Sequence, residues 1–381
     1  MKDFLQSKGF RSFLRVLLAI GIGLGLGFVL TIFVSKNPLA SYRAFLLGPL
    51  TQLNRIGDWL EESTTLIFLG LAISIVFTAK QFYLGVEGQM IMACFTTAAV
   101  ILFFPFSPVV RIILAFILGA LTGVVWGIIP AYIKAYLNAS ELVSSLMLNT
   151  VALKLFEYLV IRFLKVPGVS SLMSERFPAE VSLPSFIPNL PFLAETRALW
   201  DKQTSLTIFV YLAIAAVIVV YFLLYKTPFG YEIRTVGSND KFARYGGINV
   251  KRVIMQSILV SGIFAALGGI HLTMVIHRRA LLNMTAGLGF EGVNIAILSF
   301  NNPIIVPFAS LLYGYLRAGA DIMERTTDVS RELVTIVQAA VLLLITAERL
   351  LPIIQQRVTT PGDEEAPVIK PGTKKGASDV L

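Results

Sequence analysis

The chain has 381 residues, of which 56% are hydrophobic and only 14% charged, with a net charge of +9. A soluble domain carries about 25% charged residues, and a mean hydropathy of +0.76 leaves too little polar surface to cover an aqueous fold. The same figures exclude disorder, a collagen repeat and a disulfide scaffold, and one cysteine, Cys94, allows neither an internal disulfide nor a cysteine-based metal site.

The composition defines an all-α polytopic membrane protein. A hydrocarbon core about 30 Å thick needs about 20 apolar helical residues. About ten transmembrane helices are predicted, at 13–34, 64–79, 84–104, 110–133, 142–164, 204–225, 253–276, 288–300, 303–320 and 333–352. The segment 288–300 is too short to cross alone as a straight helix, and the pair around Lys80 is cramped. Lys2, Lys8, Arg11 and Arg15 precede the first span, and no small-residue cleavage site follows it, so it reads as an anchor with a cytoplasmic N-terminus. An even count returns the C-terminus to the same side, making 1–352 one transmembrane domain.

Between the spans, 35–62 is expected outside, with an interfacial helix over Leu39–Leu47. The extracytoplasmic loop 166–203 carries five prolines. Segment 226–252 holds Lys226, Arg234, Lys241, Arg244, Lys251 and Arg252 against Glu232 and Asp240; as the most basic short loop it belongs in the cytoplasm. The tail 353–381 is polar, rich in Pro and Gly, and expected to be disordered and cytoplasmic. Because the basic residues are spread over several loops, the positive charge reads as topology and membrane-lipid contact, with no nucleic acid as partner.

Small residues recur at helix-packing spacing, at Gly21, Gly23, Gly25 and Gly27, and again at Gly119, Gly123 and Gly127. Leu84-Gly85-Val86-Glu87-Gly88-Gln89-Met90-Ile91 is echoed by Leu288-Gly289-Phe290-Glu291-Gly292-Val293-Asn294-Ile295, with five of eight positions identical. The copies run in opposite directions across the membrane. An inverted repeat with glycine-broken helices points to a transporter's central path. Glu87 and Glu291 then either line that path or serve their own helix dipoles from the first turn. Lys154 and Glu157 are spaced as a helix-face ion pair.

No G-x-x-x-x-G-K-[ST] occurs, and His271, His277 and Cys94 form no nucleophile or metal constellation. The chain is not an enzyme by this reading; a pump would draw on an ion gradient or on a partner's ATP. In the basic loop, Ser238 or Asn239 can cap a short helix with Asp240 in its first turn and Gly246-Gly247 at its end. Phe242 and Tyr245 share one face of it, suited to a cleft in another protein or to a bed of anionic headgroups.

The loop TPFGYEIRTVGSNDKFARYGGINV resembles the coupling segment of bacterial ABC importer permeases for ribose-type sugars, nucleosides and branched-chain amino acids. LGVEGQMIMA, SELVSSLMLN and GLGFEGVNIAILSFNNP resemble three further motifs of that family, in order from about Leu66 to Leu350. Glu-Gly-Gln and Leu-Met-Leu-Asn together point to the nucleoside branch, and the long loop 166–203 to the larger of two paired permeases. The sequence departs from the pattern at Tyr83, where the family often has Asn, and at Ser299, where it has Gly.

The resemblance implies a type II-like permease subunit of an ATP-driven importer in the bacterial cytoplasmic membrane. Its partners would be a second, shorter permease, a cytoplasmic ABC ATPase and an extracytoplasmic substrate-binding lipoprotein. The chain itself would bind no cofactor, ATP being used by the ATPase. Asn239, Asp240, Phe242, Ala243, Arg244, Gly247 and Ile248 would dock on the ATPase. Glu87, Gln89, Asn149, Phe290 and Asn294 are the substrate-path candidates, since a nucleoside needs amide or carboxylate partners and apolar walls. A monosaccharide or amino acid is the alternative substrate, and an ion-coupled secondary transporter the alternative class.

Overall fold

The computed structural model describes residues 21–330, apart from 23, 26, 30, 34, 167, 169–171, 188–196, 199, 201, 202 and 205, together with 336 and 339. The chain divides into two units, Gly27–Gln338 and the terminal segments Met1–Leu26 with Ala339–Leu381. In the second unit residues 21, 22, 24 and 25 are helical. All named elements belong to the first. The predicted span 13–34 lies partly outside the described residues. The span 333–352 lies almost wholly outside them, and the tail 353–381 entirely so.

The elements are α1 (Pro38–Leu47), α2 (Leu53–Thr78), α3 (Val86–Phe103), α4 (Pro108–Leu137), α5 (Glu141–Leu159), α6 (Phe209–Lys226), α7 (Pro228–Ser238), α8 (Asp240–Tyr245), α9 (Val250–His271), α10 (Leu288–Leu298) and α11 (Val306–Thr326). Turns of π-helix extend α5 through Val160–Leu164 and α9 through Leu272–His277. Among the described residues, pairing between extended segments is confined to three isolated bridges, at Lys165–Ser174, Met173–Leu281 and Ser185–Thr207.

Among the described residues six helices are long and apolar enough to cross a membrane: α2, α3, α4, α5 with its π-turn, α6, and α9 with its π-turn. α10 has 11 residues, short as predicted, and α11 carries Arg317, Asp321, Glu324 and Arg325 within its 21. The helix over Leu39–Leu47 is present as α1, capped by Asn37, whose side chain accepts from the Ala40 N–H.

α2 corrects the predicted boundary at 64. It begins at Leu53, so the polar stretch 53–62 is helix and not loop. From Ser63 to Val76 every residue is buried, so α2 is the centre of the bundle, packed on α9, α10 and α11. α4 is built the opposite way. Ile113, Ile117, Leu121 and Val125 form an exposed stripe at i, i+4 spacing, fitted to lipid, while Gly119, Gly123 and Gly127 are buried. A Cβ on Gly123 would lie 2.8 Å from the Ala266 Cβ, and one on Gly119 3.0 Å from Ile270 Cδ1. The predicted glycine stripe is therefore the seam along which α4 crosses α9, small residues letting the backbones approach.

Beyond α11, Asp328 accepts hydrogen bonds from Ser35 Oγ and the Lys36 N–H, each 2.7 Å long. The Ser35 hydroxyl, then the Lys36 amide, hold its carboxyl below the ordinary carboxylate range. The tie is fully present above the unfolded carboxylate's titration and is lost as pH falls through the folded one.

Candidate functional site

The first turns of two helices, α3 and α10, meet inside the bundle. The sequence predicts helix from residue 84, but residues 81–84 are not helical and α3 starts only at Val86. That strip runs alongside the first turns of α5. The Phe82 N–H donates to Glu141 Oε1 (3.2 Å) and the Leu84 N–H to Ser145 Oγ (3.2 Å). Asn149 completes the ladder: its Nδ2 donates to the Leu84 carbonyl (2.8 Å) and its Oδ1 accepts from the Gly88 N–H (2.9 Å). Asn149 lies eight residues beyond Glu141, the first residue of α5, which at about 1.5 Å per residue puts the start of α3 some 12 Å in from the start of α5. Ile258, whose carbonyl accepts from Gln89 Nε2 (3.4 Å), lies eight residues into α9 and gives the same depth.

The start of α10 reaches this point from the other side of the sequence. Gly287, at φ +84°, caps it, and the Gly289 N–H donates to Glu87 Oε2 (2.6 Å). Thr285 and the Gly287 main chain reach the same carboxyl. A Cβ on Gly289 would fall 2.7 Å from both the Glu87 Cα and its nitrogen, so only glycine lets the two first turns touch. The echoed segments thus meet each other, and Glu87 of one copy satisfies the open amide end of the other. The same requirement holds at Gly85, where a Cβ would overlap the buried Tyr83 ring.

The second glutamate of the echo is used differently. Glu291 Oε1 pairs with Arg317 Nη1 at 2.5 Å, and Arg317 Nε lies 3.8 Å from Glu62 Oε2, so one guanidinium joins α2, α10 and α11. Tyr313 is hydrogen-bonded to Asn294 beside it. Phe290 and Asn294, one turn apart on α10, are exposed at the surface of this chain, Phe290 by 40%.

Of the predicted path residues, then, Glu87, Gln89 and Asn149 come together in the buried junction. Phe290 and Asn294 lie on the outward face of α10. Arg317, Glu62 and Tyr313 are additions. Arg317 had a signal in the sequence, as the only charged residue in the apolar run 303–320. Because Asn149 is committed to main-chain bonds, Asn149→Leu leaves a buried amide and carbonyl without partners, a loss of about 1–3 kcal/mol each. A lowered melting temperature in detergent is the expected result. An unchanged melting temperature with weakened substrate affinity would make Asn149 a substrate contact instead.

The predicted short helix in 226–252 is α8. Asn239 caps it, Oδ1 accepting from the Lys241 N–H (3.0 Å) and the Phe242 N–H (3.1 Å). It ends in a Schellman motif: Gly247, at φ +80°, donates to the Arg244 carbonyl and Ile248 to that of Ala243. Asn239, Asp240, Phe242, Arg244, Tyr245 and Gly247 are exposed. Ala243, expected on the docking face, is fully buried against the chain's own helices, so its role is to seat α8. The Lys154–Glu157 pair is present at 2.9 Å on the surface of α5.

A bundle of helices long and apolar enough to cross a membrane, with the first turns of two of its helices meeting inside it, has the build of a transport protein. The chain belongs to the family described as branched-chain amino acid transport system / permease component, whose model matches residues 55–346. It is thus a multi-pass permease component of an ABC importer and not itself an enzyme. It is 28% identical over 355 residues to the guanosine ABC transporter permease protein NupP of Bacillus subtilis, covering 91% of this chain and 96% of the relative. It is 30% identical over 332 residues to the glucose ABC transporter permease protein TsgB13 of Haloferax volcanii (87% and 86%). To the nucleoside permease NupB of Lactococcus lactis it is 28% identical over 351 residues (90% and 93%). No solved structure matches.

Proposed function

We propose that this chain is the larger permease of an ATP-driven nucleoside importer in a bacterial cytoplasmic membrane, with about ten spans in an inverted repeat and both termini inside. The observation that carries the substrate is its likeness, over nine-tenths of its length, to permeases named for guanosine and for nucleosides. Its polyol-facing needs would be met on α10, where Phe290 offers a wall for a base and Asn294 an amide for hydroxyls or base edges. Glu87, Gln89 and Asn149 build the junction that sets α10 in place. A polar face of this kind at membrane depth is costly against lipid, which supports a second subunit or a water-filled path opposite it.

The second permease is supported by the names of further relatives. Bacillus subtilis has a guanosine permease NupQ beside NupP, and Lactococcus lactis a nucleoside permease NupC beside NupB; this chain is similar to all four. A cytoplasmic ABC ATPase docks on α8 through Asn239, Asp240, Phe242, Arg244, Gly247 and Ile248, and a binding lipoprotein delivers substrate from outside. The glucose permease of Haloferax volcanii favours one other reading, a monosaccharide as cargo. Radiolabelled guanosine and glucose uptake, in cells lacking and then regaining the gene, separates them. Restored guanosine uptake is expected; restored glucose uptake alone rejects the nucleoside.

A further inference from the structure

We infer that Gly237 and Lys80 pass the motion of the docking helix α8 to the inner end of α2. This rests on the reading of α8 as the ATPase contact. A lever must be backed by something rigid, and α8 has two neighbours in sequence through which to push. Toward α9 four residues intervene, Gly246 to Asn249, two of them glycines and Gly247 at φ +80°. Toward α7 it passes a single residue, Asn239, whose own N–H is fastened to the Thr235 carbonyl (3.0 Å) inside α7. The stiff route is α7.

The last turn of α7 lies on the last turn of α2, backbone on backbone. A Cβ on Gly237 would collide with the Thr78 carbonyl oxygen, stand 3.0 Å from the Thr78 carbonyl carbon and 3.3 Å from Ala79 Cα. No side chain lies between that could absorb a displacement. Beside the contact, Lys80 Nζ donates to the Ser238 carbonyl (3.1 Å) from a left-handed residue, φ +53°, just past the end of α2. This strap resists separation where Gly237 resists compression. Next to both is an open cleft of about 370 Å³ lined by Gln81, Lys134, Asp240 and Arg244 among others, so α8 has no support on that side.

What α2 does with a push follows from its build. It is 26 residues of continuous helix, buried on every side from Ser63 to Val76, and so transmits displacement along its axis with little give. Sixteen residues from Thr78, about 24 Å along the helix, stands Glu62, which faces Arg317 and through it Glu291 on α10. A shift at Gly237 thereby reaches the face that carries Phe290 and Asn294.

The test uses the whole complex in proteoliposomes and reads substrate transported per ATP hydrolysed, with the amount of ATPase that co-purifies. Gly237→Ala is expected to lower the transport ratio about tenfold, a size ordinary for coupling between sites. ATPase recovery and hydrolysis should stay near wild type. Lys80→Met disturbs no packing and is expected to lower the ratio about two- to threefold, the size of one exposed hydrogen bond. A role in folding alone would reduce yield and leave the ratio unchanged, which overturns the inference; so does a wild-type ratio for Lys80→Met. Loss of ATPase recovery in either variant also overturns it, by placing these residues in docking. A complex that still transports at the wild-type ratio with α8 deleted refutes the docking reading itself, and this inference with it.

Discussion

Arg244→Glu combined with Phe242→Ala is expected to reach the membrane in normal amount, yet to abolish ATP-driven uptake. Within the isolated chain neither side chain has much to lose. Phe242 is 65% exposed, and the Arg244–Asp240 pair is 3.8 Å long between side chains 66% and 57% exposed, so its contribution to folding is small. Tyr245, at 93% exposed, is similarly without a partner surface of its own. Aromatic and arginine side chains presented this way are typical anchors of a binding interface, each costing about 2 kcal/mol or more when truncated there. The glutamate adds repulsion, because it sets two like charges one turn apart and reverses the potential offered to the ATPase. A bed of lipid headgroups as the only partner predicts little change in uptake. Normal uptake by a correctly inserted double variant would remove α8 from the coupling route.

Arg317→Met is expected to be strongly destabilising. It removes the one cation that joins Glu291 at 2.5 Å and Glu62 at 3.8 Å. Breaking a buried pair from one side costs about 3–5 kcal/mol, because the remaining charge is left without compensation. The three side chains are between 21% and 28% exposed, which argues for the lower end of that range. The melting temperature in detergent should fall markedly. Arg317→Lys should fall between, since an ammonium keeps the charge but loses the fork that reaches two carboxylates. Adding Glu291→Gln to Arg317→Met should recover part of the loss. A melting temperature unchanged in Arg317→Met would mean that water already screens the three groups.

Local rules made some of this legible from residue order. The spacing of Gly119, Gly123 and Gly127 marks a packing seam whatever it packs against, and the structure supplies α9. Asn239 and Gly246-Gly247 bracket α8 because cap chemistry is decided within a few residues. Other features depend on distant partners. The polar start of α2, with Asn54, Arg55, Asp58, Glu61 and Glu62, reads as a loop until α11 is packed beside it. Leu84 reads as the first helical residue of an apolar run, and lies outside the helix because Ser145 and Asn149 bind its amide and its carbonyl. The two glycine-glutamate segments stand out by repetition, but the bond from Gly289 to Glu87 spans 202 residues, and nothing in either segment names the other. Arg317 is the instructive omission, a charge within an apolar run whose partners lie on two other helices.

The most direct test places the purified chain alone in liposomes with an imposed proton or sodium gradient, and compares it with the full complex given ATP. Substrate should accumulate only in the complex, and only while ATP is hydrolysed. Accumulation by the isolated chain on an ion gradient would contradict the account, since the energy would then be captured by charges such as Glu87 and Glu291 rather than received at α8.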